Sequence, residues 1–321
     1  MTETAAILHR AAESAIAAPS IFNTQPWRWQ VAGTVLRLWA GRERQLIVAD
    51  PEGRMLTVSC GVALHHARIA LAAAGYTAVV ERMPDPSDPD VLAEIHVGAA
   101  HAPSDREAQL SDAIPRRRTD RRAFTHDPVD RSSEEALIAA AEAEGAHLHL
   151  IHKDEVATLA LAAVRADAMQ LGDPEYRREL IRWTNRPAWS GDGVPVTTAV
   201  ERSARAVPVR DFAPFGGPVQ PAGPYTDHGA LYAHIFTDDD GAEAWLRAGE
   251  ALSAVLLTAT AAGLGTAPIS DVTELDVTRE QLRRMLAGIG VPQLAVRIGH
   301  PPAGGPPPTV PRRAADEVIY P

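Results

Sequence analysis

Residues 61–75 read GVALHHARIALAAAG, and a similar segment, GEALSAVLLTATAAG, returns 188 positions later at residues 249–263. Six of the fifteen aligned positions are identical, including the glycines at both ends. Each segment is small and apolar nearly all round and ends at a glycine, which is typical of a helix buried between two layers of structure. We therefore predict two central helices that belong to an internal repeat.

The elements that follow these helices also recur. Each helix is followed by a strand-like stretch that ends in glycine, at residues 92–98 and 294–299. Alanine-rich helices can resemble each other by composition alone, but the recurrence of helix and strand in the same order favours a true repeat. We predict a first half over residues 1–105 and a second half over residues 106–321.

Other periodic segments complete each half. The first has an opening helix at 5–17 and one strand over 28–38, where apolar residues alternate. The second has a helix at 133–144, a strand at 146–152 and a helix at 153–170. This mixture predicts an α+β fold of two pseudo-symmetric halves, with mixed, mostly antiparallel sheets packed against the central helices.

An insertion of irregular sequence interrupts the second half at residues 173–227. It is rich in proline, glycine, arginine and aromatic residues, including Trp183, Trp189 and Phe215. Long irregular segments within compact domains are commonly binding loops or lids. We favour a lid, and the alternative is a surface excursion that packs its aromatic residues locally.

The composition excludes several classes of protein. The formal net charge of −10 disfavours general nucleic-acid binding, which needs a basic face. Because Cys60 is the one cysteine, an internal disulfide is excluded, and the absence of a long uncharged apolar run predicts no membrane span. The twelve histidines show no spacing for a metal site, and no hydrolase elbow is present. A cytoplasmic location is expected.

Two motifs nearly one hundred residues apart carry the chemistry. The first is PSIFNTQPW at residues 19–27, and the second is RRRTDRRAF at residues 116–124, followed by DPV at 127–129. Clustered guanidinium groups offer the fixed, bidentate donors that suit a phosphate. Taken alone, however, a basic run is more often a solvated surface, particularly in a chain with one lysine among 31 basic residues.

Both motifs resemble signatures of the FMN-dependent nitroreductase family, but they occur in the reverse of that family's order. The second resembles the arginine-rich opening RRSxRxFxxxPV, and the first resembles the PSxxNxQPW segment. The segment GLGTAPIS at 263–270 is similar to a glycine turn of the family that lies near the flavin N5 and O4 atoms. The reversed order and the fused halves resemble the Acg-type, dormancy-associated subgroup.

The resemblance implies a set of cofactor contacts. The implied phosphate and ribityl ligands are Arg117, Arg118, Thr119 and Arg121, and the contacts at the pyrimidine edge are Pro19, Ser20, Ile21 and Asn23. Pro268, Ile269 and Ser270 would lie near the flavin N5, and the C-terminal Arg312 and Arg313 would reach the phosphate. No catalytic side chain is implied, because the flavin carries the chemistry.

Each half lacks what the other supplies. The first has no arginine run near its start, and the second has residues 144–147, EGAH, where the PSxxNxQPW segment is expected. Family members are usually homodimers with flavins at the subunit interface, so this chain is interpreted as a pseudo-dimer with one intact FMN site and one decayed site. A monomer is therefore expected.

Two functions remain open from the sequence. The first is NAD(P)H-dependent reduction of nitroaromatic or quinone-type small molecules by ping-pong hydride transfer. The alternative is a protein that binds or sequesters FMN with little or no reductase activity, because the lid covers the flavin. Neither involves nucleic acid or a membrane.

Overall fold

The computed structural model describes residues 2–214, 216–217 and 219–320. The predicted first half, residues 1–105, contains α1 (Glu3–Ala15), β1 (Trp27–Ala32), β2 (Val35–Ala40), α2 (Arg54–Ala73), β3 (Tyr76–Arg82) and β4 (Val91–Ala100). Helix α3 (Asp105–Ala113) begins at the predicted boundary. The predicted second half contains α4 (Arg131–Glu142), β5 (His147–Leu150), α5 (Val156–Gly172), α6 (Pro174–Thr184), β6 (Leu231–Thr237), α7 (Ala242–Ala261), β7 (Gly265–Ile269), α8 (Asp271–Glu274), α9 (Asp276–Met285), β8 (Val291–Gly299) and β9 (Ile319–Tyr320).

Two sheets flank a pair of central helices. The first sheet has the strand order β3-β4-β2-β1-β9, and the second has the order β5-β6-β8-β7. Neighbouring strands are antiparallel except β9, which runs parallel to β1. The predicted α+β class with mostly antiparallel sheets is therefore confirmed. Because β9 belongs to the first sheet, the end of the chain crosses back over the first half.

The central helices α2 and α7 meet at the repeated glycines. A Cβ on Gly61 would lie 2.0 Å from the carbonyl oxygen of Leu246, and a Cβ on Gly249 would lie 2.0 Å from that of Val58. Leu246 and Val58 are themselves 188 positions apart, so the contact is reciprocal, as at the two-fold interface of a homodimer. Only glycine lets the two backbones approach this closely.

Gly249→Ala is expected to destabilise the protein by about 1–3 kcal/mol, because the added methyl group forces the central helices apart. The free energy of unfolding in urea measures the effect. Gly172→Ala is the matched control, since nothing lies within 4 Å of its added Cβ at the end of α5. Equal stability of the two variants would contradict the proposed close contact.

One strand prediction is wrong. The segment 28–38, expected as a single strand, is the hairpin of β1 and β2, with Trp29 paired to Leu38. The chain reverses at Gly33, whose φ of 65° lies in the left-handed region that glycine adopts without strain. Alternation continues through both arms of the hairpin, so periodicity alone did not reveal the turn.

Helix α2 is long and apolar enough to cross a membrane when judged by length and composition alone. However, 78% of its apolar window is buried inside the protein. Such burial is typical of the core helix of a globular domain, and it explains why the helix is apolar nearly all round.

The insertion at 173–227 is folded against the first half. In α6, Tyr176, Leu180 and Trp183 form a small apolar cluster with Phe22 and Leu46, beside the first motif. Of the three aromatic residues expected in a lid, Trp183 is buried in this cluster, Trp189 is 87% exposed, and Phe215 lies outside the described residues. The lid therefore stays a prediction.

Candidate functional site

The first motif adopts an unusual backbone conformation. Phe22, Asn23 and Gln25 all have positive φ, at 46°, 53° and 50°. Non-glycine residues adopt such values at a cost, and clusters of them are typical of functional sites. The hydroxyl of Ser20 accepts a hydrogen bond from the Gln25 amide at 2.8 Å, and that of Ser59 on α2 accepts one from the Ile21 amide at 3.1 Å.

Distant parts of the chain hold this loop in place. The side-chain amide of Asn23 donates to the carbonyls of Gly193 at 2.9 Å and Pro311 at 3.1 Å. The side-chain oxygen of Asn23 accepts from Arg312 at 3.1 Å, and the Gln25 side chain donates to the Gly191 carbonyl at 2.8 Å. The insertion and the C-terminal tail therefore both stabilise the strained loop.

The arginine run lies beside the start of β7. The amide of Asp120 donates to the carbonyl of Thr266 at 2.9 Å. The buried Arg297 on β8 donates to the carbonyls of Asp120 at 2.7 Å and Arg122 at 2.9 Å, and it pairs with Asp227 at 2.6 Å. Asp227 also accepts from the Phe124 amide at 2.7 Å. This Arg297–Asp227 pair fixes the path of the second motif.

Two adjoining cavities of about 120 Å³ and 220 Å³ lie where the motifs meet. What we call the apolar cavity is lined by the predicted residues Pro19, Ser20, Ile21, Thr119, Arg121, Pro268, Ile269 and Ser270. What we call the basic cavity is lined by the predicted residues Pro19, Ser20, Asn23, Arg117, Arg118, Thr119, Arg121 and Arg312. The predicted meeting of the two motifs is thus observed.

The positive charge of the basic cavity has no carboxylate partner among the described residues that line it. Arg117 is 3% exposed, and its Nε and Nη1 atoms have no hydrogen-bond partner in the part of the chain that the structure describes. Burial, together with Arg312 and Arg118, lowers the pKa of Arg117 to about 9, and burial and Arg118 lower that of Arg312 to about 10. Within the described part of the chain, no carboxylate forms an ion pair with these three arginines. The cavity is therefore suited to an anion.

The apolar cavity has a wall that the sequence did not predict. Phe212, from the insertion, contacts Phe22 edge to face with ring centroids 5.5 Å apart. The guanidinium of Arg121 lies over the Phe212 ring at 4.6 Å, and that of Arg210 lies over the Phe22 ring at 5.0 Å. No motif marks Phe212 or Arg210, because residues of an irregular insertion reach the site only through tertiary folding.

A buried acid completes the apolar cavity beside the predicted Ser270. Asp271 is 3% exposed and lies in the cavity wall. The neighbouring Arg210 is instead paired with Glu274 at 2.6 Å. Burial raises the pKa of Asp271 to about 6, although Arg210 opposes the shift. One weak signal marks this residue in the sequence, its position directly after the GLGTAPIS segment.

Two predicted contacts have other roles in the structure. Arg313 lines neither cavity: its amide donates to the Gln25 side chain at 2.9 Å and its guanidinium to the Glu317 carbonyl at 2.8 Å. Asn23 lies in the wall of the basic cavity, but both of its donors are used by backbone carbonyls and its oxygen by Arg312. Both residues therefore position the loop and Arg312.

The two cavities share Pro19, Ser20, Phe22, Thr119 and Arg121, so one ligand can extend from one into the other. Such a ligand would have an anionic end held by guanidinium groups. Its other end would be flat and apolar, to fit between the loop, Phe212 and the end of β7. The arrangement suits a phosphorylated aromatic molecule.

Comparison with known proteins agrees with this geometry. The model of the family described as "Nitroreductase family" matches residues 114–300. "Putative NAD(P)H nitroreductase Rv3131" of Mycobacterium tuberculosis strain H37Rv is 42% identical over 314 residues, which are 95% of this chain and 88% of that protein. "Putative NAD(P)H nitroreductase acg" of the same strain is 36% identical over 324 residues, covering 98% and 95% of the two chains.

Solved structures with a similar fold include a nitroreductase with bound FMN from Bacteroides fragilis. It is 15% identical and has a TM-score of 0.39, with 64% of this chain and 95% of that chain covered. The FMN- and NADPH-dependent nitroreductase NfnB from a Sphigopyxis strain is 19% identical, with a TM-score of 0.41 and coverage of 65% and 97%. Overlaps of this extent support no conclusion about ligands.

Proposed function

This chain belongs to the nitroreductase family, and from that premise we propose that it is an FMN-binding flavoprotein that uses NAD(P)H to reduce small molecules. The acceptors we propose are nitroaromatic or quinone-type compounds. FMN, when bound, would supply the hydride-transfer chemistry, and the protein would supply binding, orientation and electrostatics.

The observation that carries the proposal is the buried guanidinium of Arg117. It has two nitrogen atoms without partners and stands beside Arg118 and Arg312 in a cavity to which the protein offers no counter-charge among the described residues. Burying an unpaired cation is costly, so the arrangement is explained if a ligand supplies the anion. The FMN phosphate meets this demand, with Thr119 and Ser20 available as hydroxyl partners.

The flavin ring would occupy the apolar cavity. Ile21 and Phe22 from the first motif and Pro268 and Ile269 from β7 present apolar surface to it, while Arg121 stands where the two cavities join. Burial, with Arg210 and Arg297 nearby, lowers the pKa of Arg121 to about 10, so a negative charge at this position would be stabilised.

We further propose that the chain, as a pseudo-dimer, holds one FMN. Glu250 on α7 stands 188 positions after Val62, which lines the apolar cavity. Glu250 is fully buried and pairs with Arg68 at 2.7 Å and Arg82 at 2.7 Å, and Arg68 also pairs with Glu144. Two carboxylates and two guanidinium groups, paired with one another, thus occupy the position that corresponds to Val62 in the apolar cavity.

One structural feature favours the alternative function, FMN binding without turnover. Asp192 in the insertion is 4% exposed and accepts from Arg186 at 2.7 Å and Ser190 at 2.6 Å, and it also pairs with Arg44. Its neighbours Gly191 and Gly193 are hydrogen-bonded to the first motif. A segment anchored this firmly is more like a fixed wall than an opening lid.

An anaerobic NADPH titration tests both functions. We expect the purified protein to bind FMN, with the flavin absorbance near 450 nm lost on addition of NADPH and regained on addition of a quinone. Bound FMN that NADPH does not reduce, but that dithionite does, would favour sequestration. Failure to take up added FMN would reject both functions.

The stoichiometry is a separate prediction. Saturation with FMN, followed by gel filtration and absorbance measurement, is expected to give about one flavin per chain, because the counterpart position is filled by Glu250 and its partners. Two flavins per chain would contradict the proposed loss of the second site.

A further inference from the structure

Resting on the proposed function, we propose that Asp271 is the acid that delivers a proton to the acceptor as it is reduced. Asp271 lies in the wall of the apolar cavity, directly after Ser270, the residue expected near the reacting end of the flavin. The acceptor would have to enter this same cavity to be reduced.

The cavity offers no comparable alternative. Among the described residues that line it, Asp271 is the one carboxyl group, and there is no histidine, cysteine, lysine or tyrosine. The other polar side chains are the hydroxyls of Ser20, Ser59, Thr119 and Ser270 and the guanidinium groups of Arg121 and Arg210, none of which readily gives up a proton near neutral pH.

The surroundings of Asp271 keep its acidic proton available. Arg210, the nearest cation, pairs with Glu274, which also accepts from Gln170 at 2.7 Å, so Asp271 is left without an ion-pair partner among the described residues. The carboxyl group of Asp271 accepts a hydrogen bond from the Val272 amide. Burial is the main cause of its raised pKa, Glu274 and Asp167 add to the shift, and Arg210 opposes it. Tyr176 on α6 also faces this group.

A second opening links Asp271 to solvent. Asp271 also lines a neighbouring cavity, which we call the outer cavity, together with Asp167 on α5 and the exposed Glu201. Val209 and Arg210 form part of the wall between the two cavities. Asp271 can therefore face the acceptor on one side and exchange its proton with water on the other.

A quinone acceptor takes up one hydride and one proton to become a hydroquinone. Hydride, supplied in the proposed function by NAD(P)H, forms one O–H bond of the hydroquinone. In the same step the O–H bond of Asp271 breaks, its proton forms the second O–H bond of the hydroquinone, and the electron pair stays on Asp271 as a carboxylate. A proton from water in the outer cavity restores the acid.

Asp271→Asn is the test variant, and Glu201→Gln is the matched control in the outer cavity. The FMN-loaded proteins are reduced with dithionite without air, mixed with menadione in a stopped-flow instrument, and followed by flavin absorbance from pH 5 to pH 8. We expect the wild-type rate to fall as pH rises through about 6. The rate for Asp271→Asn, measured on protein saturated with FMN, should be about 100-fold lower at pH 5 and independent of pH. Asp271→Glu should restore part of the rate.

Two measurements without turnover complete the test. In FMN-free protein labelled with ¹³C-aspartate, one carboxyl signal should titrate near pH 6 and be absent from Asp271→Asn. The raised pKa also means that the folded state favours the protonated form, so its stability cost appears as pH rises from about 4 to 6. Asp271→Asn should therefore gain urea resistance over wild type at pH 8 and lose that gain at pH 4.

The results of these experiments distinguish a failure of the proposed function from a failure of the role of Asp271. If the protein takes up no FMN, the proposed function fails, and this inference fails with it, before any acceptor is added. If loaded wild-type protein reduces menadione but Asp271→Asn keeps the same rate and pH profile, the role of Asp271 is overturned and the proposed function stands. A slower variant with an unchanged pH profile would also overturn it, because that result indicates a structural role.

Discussion

Replacing Arg117 and Arg118 with alanine is expected to weaken FMN binding by about 100-fold to 10,000-fold. The estimate follows from losing two charge-assisted contacts to the phosphate, each worth roughly 1.5–3 kcal/mol. Fluorescence quenching of free FMN on titration with protein measures the affinity. Arg116→Ala is the matched control, because Arg116 is exposed and lines neither the apolar nor the basic cavity.

Removing a charge from the same cluster is expected to stabilise the FMN-free protein. Since the pKa of Arg117 is lowered to about 9, the folded state carries its charge at a cost that is fully present below that pH and diminishes as pH rises above it. Arg117→Met, which keeps the volume and removes the charge, should raise the free energy of unfolding at pH 7. Tighter FMN binding, or a less stable FMN-free protein, would count against the anion site.

The second large effect is expected at the Arg297–Asp227 pair. Asp227→Asn leaves the guanidinium of Arg297 buried and uncompensated, which should destabilise the protein by about 3–5 kcal/mol. Asparagine is chosen because Asp227 has a positive φ of 63°, which asparagine tolerates. Urea unfolding gives the stability, and FMN affinity should fall as well, because Arg297 holds the carbonyls of Asp120 and Arg122.

A double variant separates charge from packing. Adding Arg297→Met to Asp227→Asn removes the unpaired charge, so part of the lost stability should return while FMN affinity stays low. Arg205, 3.7 Å from Asp227, is the other cation near the pair and is left in place. If Asp227→Asn alone is as stable as wild type, the pair does not anchor the second motif.

Some features of the site could be predicted because they depend on local sequence. The arginine run and the PSIFNTQPW loop carry their chemistry in adjacent residues, and twelve of the thirteen predicted contacts line the two cavities. Arg313 is the exception. The side chains of adjacent residues in an extended tail can point to different sides. The contacts with Gln25 and Glu317 determine the direction of Arg313.

Other features could not be predicted. Phe212 and Arg210 come from an irregular insertion with no periodicity, and their positions depend on contacts with Phe22 and Glu274. The hairpin at Gly33 was missed because alternation persists through both strands. The burial of Trp183 likewise follows from how α6 packs, whereas Trp189 lies beyond the end of that helix and is exposed, and their residue types alone do not distinguish them.

The sequence by itself determined the central helices, the α+β class and the two motifs, because helix periodicity, glycine spacing and clustered charge are properties of neighbouring residues. Tertiary structure alone decided that Arg117 is buried without a partner, that Asp271 faces two cavities, and that Asn23 and Gln25 are held in a strained loop. These features depend on burial and on contacts between residues more than 100 positions apart, and only the folded chain creates them.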